Sequence, residues 1–123
     1  ALDSDGVPVW VWTEQDPNDP WTINVVSQRS DENQPSKVNT TAGFSTSPDI
    51  VVPDDGQAIV AWINDDSGQI EAAREPYTDV NIIGSGSGPQ LATDTCGVTH
   101  LVFYGYGAPS GAQDVYHTSN AAL

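Results

Sequence analysis

Apolar residues in this chain come in short blocks that alternate or run on, and never at helical spacing. No segment places them at i, i+3, i+4 and i+7 with helix formers between. Proline and glycine, 9 and 11 residues of 123, punctuate the blocks at close intervals. β-structure is therefore expected throughout. The clearest block is residues 56–62, GQAIVAW, behind the acidic turn Pro53-Asp54-Asp55. It has two counterparts: residues 6–12, GVPVWVW, behind Asp3-Ser4-Asp5, and residues 97–103, GVTHLVF, behind Asp94-Thr95-Cys96. In each, a large apolar residue (Trp10, Val60, Leu101) follows the glycine by four positions. An aromatic (Trp12, Trp62, Phe103) follows it by six.

The three blocks head three similar units, at approximately residues 1–46, 47–87 and 88–123. After the aromatic comes a polar loop and a second strand (residues 21–29, 69–74 and 113–119), with Ile23, Ile70 and Val115 aligned at its start. A third strand follows in the first two units, at residues 38–44 and 78–83. Ser/Gly/Pro stretches at 45–48 and 84–89 then lead as linkers into short strands at 49–52 and 90–93. Four short strands in 40 to 50 residues is the pattern of a β-propeller blade. A β-sandwich would show similar strands without the same glycine-to-aromatic register three times. The expected fold is all-β: about three four-stranded antiparallel blades of an incomplete propeller. An inner strand covered on both faces by neighbouring blades reads as a nearly continuous apolar run, as these blocks do. Trp12, Trp62 and Phe103 are expected at equivalent buried positions between blades. Glycine supplies the positive φ the turn needs, and the Asp or Thr ahead of it can accept from turn amides, so the acids have a structural role first, with metal binding as the alternative.

Propellers close with about four to eight blades. Three units leave an open arc whose end faces are apolar and whose edges are unpaired. The expected partners are therefore other propeller blades, on the same polypeptide or on copies of the chain.

An acidic turn, a glycine, an apolar strand ending in Trp or Phe, and a following strand ending near Arg or Ser resemble the sialidase-type (BNR-like) propeller repeats of secreted and cell-surface proteins. The resemblance spans essentially the whole chain. It implies a propeller fold, an extracellular or cell-surface location, and a ligand face built from the loops that follow the apolar blocks (residues 13–20, 64–68 and 104–112) and the loops between blades. The spacing Asp3-x-Asp5-Gly6 departs from the Asp-box of sialidases. The three-arginine cluster of those enzymes has no counterpart either, since the only arginines are Arg29 and Arg74. The resemblance thus implies a non-catalytic binding or structural segment. The alternative is part of a glycoside-hydrolase-type propeller whose catalytic residues lie on other blades.

Charge narrows the partners. Three Lys and Arg stand against 17 Asp and Glu, a net −14. Such a field repels nucleic acid and anionic membrane surfaces and suits cations and neutral polar ligands. No apolar run approaches the length of a membrane span. Acid excess with so little Lys also fits halophilic or secreted proteins. The single cysteine, Cys96, allows no internal disulfide, and Asn39-Thr40-Thr41 matches a glycosylation sequon.

The loops after the first block of each unit carry the candidate chemistry. They set Trp21, Tyr104 and Tyr106 beside Asp65 and Asp66. Aromatic faces ringed by fixed polar groups suit neutral glycans, the ring covering C–H faces and the acids accepting from hydroxyls. The other reading is solvated turns with the aromatic folded back on its own unit. Asp16, Asn18 and Asp19 offer hard oxygens to calcium, as does the run Asn64-Asp65-Asp66-Ser67. No other cofactor is expected. His100 and His117 are expected as packed side chains, with no spacing that links them into a zinc site.

Overall fold

The structure is a computed structural model that describes residues 1–39, 43–105 and 114–119, with the backbone alone at Asp114 and Tyr116. Among these residues there are nine strands and no helix: β1 (Val9–Asp16), β2 (Asp19–Arg29), β3 (Ser36–Lys37), β4 (Ser45–Val51), β5 (Ile59–Asn64), β6 (Gln69–Arg74), β7 (Val80–Thr93), β8 (Thr99–Gly105) and β9 (Asp114–Ser119). They form a three-stranded sheet, β1-β2-β3, and a six-stranded sheet in which β4 to β9 lie in chain order. Every neighbouring pair of strands is antiparallel.

The three acidic turns share one geometry. Gly6, Gly56 and Gly97 have φ of 78°, 81° and 80°, and their amides donate to the carbonyls of Asp3, Pro53 and Asp94 at 2.9–3.0 Å. The chain thus makes a tight turn closed by a glycine in the left-handed region. Asp3 Oδ1 also accepts from the amides of Asp5 and Val7, and Asp94 Oδ1 from those of Cys96 and Val98. In the middle turn proline occupies the aspartate's place, and Asp55 instead caps the Gln57 amide at 3.0 Å. The acids have the structural role that the sequence suggests.

Behind each turn the apolar block becomes a strand, and β5 is buried on both faces. Its odd-numbered residues Ile59, Ala61 and Ile63, with Ile70 and Ala72 of β6, pack against Leu91, Leu101 and Phe103 of β7 and β8. The six-stranded sheet therefore folds back on itself about β7. The even-numbered Val60 and Trp62 pack with Ala73 and Tyr77 against Val25 and Val38 of the first unit. Each large apolar side chain so buried contributes about 1.5–3 kcal/mol relative to exposure. A polar clamp joins the same two units: Arg29 donates to Asp3, to the Gly56 carbonyl and to both Glu75 carboxylate oxygens.

Four expectations need correction. Trp12 is only half-buried. It shares the register of Trp62 and Phe103, but its face of β1 looks away from the second unit, and no described layer covers it. The residue of β2 equivalent to Ile70 and Val115 is Val25, not Ile23. Trp12 pairs with Val26, Trp62 with Glu71 and Phe103 with Tyr116, so the first hairpin extends two residues further before its turn. The described third strand of the first unit is Ser36–Lys37, ahead of the expected 38–44, of which 40–42 lie outside the described residues. Finally, both expected linkers lie in strands: 45–48 opens β4, and 84–89 is the middle of β7, which pairs with β6 up to Ser85 and with β8 from Gly86 onward. Small residues serve a close crossing there. A Cβ on Gly86 would collide with the Tyr104 carbonyl oxygen and lie 2.8 Å from the Phe103 ring, and one on Gly84 would lie 3.2 Å from the same ring.

Candidate functional site

The β1–β2 and β5–β6 turns hold most of the predicted site residues. In the first, Asp16 Oδ1 accepts from the Asn18 amide (2.8 Å) and Oδ2 from the Asn24 side chain (3.1 Å). These bonds, the backbone one first, hold the Asp16 carboxyl below its ordinary range. Asp19 accepts from the Trp21 amide and the Thr22 hydroxyl. All four carboxylate oxygens of the predicted calcium loop therefore already close the turn. Among the described residues, no group of three or more His, Cys, Asp or Glu side chains is arranged to hold a metal.

In the second turn, Asn64 Oδ1 accepts from the amides of Asp66 and Ser67. Asp65 accepts from the Thr46 hydroxyl at 2.8 Å, and Asp66 from the Phe44 amide at 3.4 Å. These acids tie the turn to the segment that crosses from the first unit to the second. On the other side of that segment the Gly43 amide donates to Thr22, the residue after Trp21. Trp21 itself is 75% exposed. The Gly68 carbonyl accepts from Gly86, next to the Ser87–Tyr104 pair of β7 and β8. Contacts between their neighbours thus put Trp21, Asp66 and Tyr104 at one end of the sheets, and no pocket among the described residues gathers them. Tyr104 lies over Gly88 beside a cleft of about 140 Å³ that Val102 and Val115 also line, and Trp21, Asp65 and Asp66 do not. Tyr106 lies outside the described residues.

The sequon does not present an acceptor. Asn39 is buried, and its Oδ1 accepts from the Val25 amide at 2.8 Å, while Thr40 and Thr41 lie outside the described residues. Cys96 is an exposed free thiol in the third acidic turn.

Two polar groups escaped the sequence reading. Glu71 is buried and accepts from Trp62 Nε1 at 3.0 Å and from Asn64 Nδ2 at 3.2 Å, so the aromatic between the units is anchored by a carboxylate. The second group joins the two histidines. Asp94 Oδ2 lies 2.8 Å from His100 Nε2, and His100 Nδ1 lies 2.8 Å from His117 Nε2. The hydrogen bond from His100 is the first cause that holds the Asp94 carboxyl below its ordinary range. The available signal was the hairpin itself, which folds Asp94 back toward His100. The His100–His117 contact depends on the β8–β9 register, which no local pattern sets.

Both open faces of the layered sheets are partly apolar. On one, Trp10 is 52% exposed beside Trp12. On the other, Val102, Tyr104 and Val115 are exposed. No helix in the described residues is long and apolar enough to cross a membrane. Comparison with protein-family models, curated proteins and solved structures yields no match.

Proposed function

We propose that the chain is an arc of propeller-type blades, outside the cell or on its surface, whose role is binding and structural assembly rather than catalysis. The observation that carries this reading is the way its layers stack. Trp62 and Phe103 each reach back into the preceding layer, while among the described residues no layer stands over Trp12, in the same register. The face of Val102, Tyr104 and Val115 is left equally uncovered. Exposed apolar sheet faces of this kind mark association sites, and the chemistry that fits them is a further blade of the same pattern. Light scattering and apolar dye binding on the whole chain test this. Association that Trp10→Ser with Trp12→Ser weakens is expected. A monomer of 13.0 kDa that unfolds cooperatively and binds no dye would refute it.

A second role is favoured by Trp21. Its ring is exposed while its backbone amide is fixed by Asp19, an arrangement suited to stacking on the C–H face of a neutral glycan. Glycan-array binding that survives Trp21→Ala unchanged would remove this reading.

A further inference from the structure

We propose that His100 and His117 form a two-imidazole site for a first-row transition-metal dication, Zn²⁺ or Cu²⁺, with Asp94 as the residue that positions it. The facing nitrogens are 2.8 Å apart while the ring centroids are 5.1 Å apart and the planes 22° from parallel. The centroid separation is the nitrogen separation plus one ring radius on each side, so the two nitrogens lie close to the line between the ring centres and point at each other.

Asp94 fixes which form His100 takes. A carboxylate only accepts, so His100 Nε2 carries the proton and neutral His100 presents a bare lone pair at Nδ1. Without metal, His117 must donate to it from Nε2. With metal, the His117 proton moves to its other ring nitrogen and Nε2 becomes a second ligand, so two neutral imidazoles bind with no net proton released. A carboxylate behind a ligating histidine is the usual device for orienting the ring and raising its basicity. Two Zn–N bonds of about 2.05 Å at a tetrahedral angle span roughly 3.3 Å, so the nitrogens need to part by about 0.5 Å and each ring to tilt by about 35° until its lone pair meets the metal. His117 is exposed on β9, the last strand of the sheet, and can move that far. Imidazole selects Zn²⁺ and Cu²⁺ over the harder cations, and water completes the coordination. The net charge of −14 raises the local concentration of any cation.

The test is calorimetric titration of the whole chain with Zn²⁺ and then Cu²⁺, in excess Ca²⁺ to occupy carboxylates. Long-range ¹H–¹⁵N spectra of the histidine rings are recorded alongside. One equivalent is expected to bind, Cu²⁺ more tightly than Zn²⁺, with His100 Nδ1 and His117 Nε2 the nitrogens that shift. His100→Gln and His117→Gln should each lose at least tenfold in affinity. Both rings lie at the surface, and circular dichroism checks that the variants stay folded. Asp94→Asn keeps the oxygen that caps Cys96 and Val98 but offers an N–H to His100, which drives the ring proton onto Nδ1. It should cost about 10–100-fold. The proposal is overturned if millimolar Zn²⁺ does not bind, if binding survives either glutamine variant unchanged, or if other ring nitrogens shift.

Discussion

Replacing Trp62 by alanine probes the layered core most directly. The side chain is fully buried between the first and second units, against Val25 and Val38. Truncating a large buried aromatic costs about 3–5 kcal/mol in transfer and cavity terms. The loss of the Nε1 donor leaves buried Glu71 short of one hydrogen bond, which adds about 1–3 kcal/mol. The sum, roughly 4–8 kcal/mol, is comparable with the whole stability of an ordinary domain, about 5–15 kcal/mol. Trp62→Phe separates the two parts, because it keeps most of the volume and deletes the donor, and should cost about 1–3 kcal/mol. Trp12 is the internal control: same register, half-buried, its Nε1 on exposed Glu14. Trp12→Ala should cost about 1 kcal/mol or less in the single chain. Urea unfolding followed by far-ultraviolet circular dichroism measures all three without relying on tryptophan emission. A loss below about 1 kcal/mol for Trp62→Ala, or a loss for Trp12→Ala as large as that for Trp62→Ala, would refute the layered packing. If Trp62→Ala does not fold, Trp62→Phe against Trp12→Phe decides.

Arg29→Ala removes a mostly buried clamp shared by Asp3, Gly56 and Glu75. It should cost about 1–3 kcal/mol, seen as a lower urea midpoint, and an unchanged midpoint would show the clamp to be decorative. Gly86→Ala drives a methyl into the Tyr104 carbonyl and the Phe103 ring and should cost about 1–3 kcal/mol, whereas a neutral outcome would mean that β7 and β8 separate easily. Burial pushes the Tyr77 hydroxyl up to about 12 from 10.0, despite its bond to Ser27. Its neutral form is the one the fold favours, so the stability it contributes is complete below pH 10 and is lost as pH rises toward 12. Absorbance titration near 295 nm should show a late-ionising tyrosine whose amplitude Tyr77→Phe removes, and an unchanged late amplitude in that variant would disprove the assignment.

The turns and the buried strand were legible because each follows from one local rule. A glycine at positive φ announced Gly6, Gly56 and Gly97, and a continuous apolar run announced β5. Residues 84–89 misled for an equally local reason. Glycine, serine and proline there signal a loop, yet they are small because Phe103 and the Tyr104 backbone pass close by, a fact of tertiary packing that the segment itself does not encode. Trp12 reads like Trp62 in sequence, and what separates them among the described residues is the layer that covers Trp62 and not Trp12. At the candidate site, the acids at 16, 19, 65 and 66 have the spacing of calcium ligands or glycan acceptors. Their actual partners, Asn24, Thr22, Thr46 and Phe44, include residues that no spacing rule connects to them. The His100–His117 link was hidden for the same reason, since it depends on the pairing of β8 with β9.

The unbroken course of β7 carries a consequence for how the sequence can vary. Surface loops absorb extra residues at little cost, and a linker at 84–89 would have been such a place. In a strand, one added residue reverses the side to which every later side chain points. Inserted near Gly86, it would turn Leu91 out of the core and bring its exposed neighbours in. The ladders that β7 shares with β6 and with β8 therefore keep their phase together. Length changes in this region are tolerable only in pairs of residues or as a bulge, like those already present at Ile70/Glu71 and Ser87/Gln90.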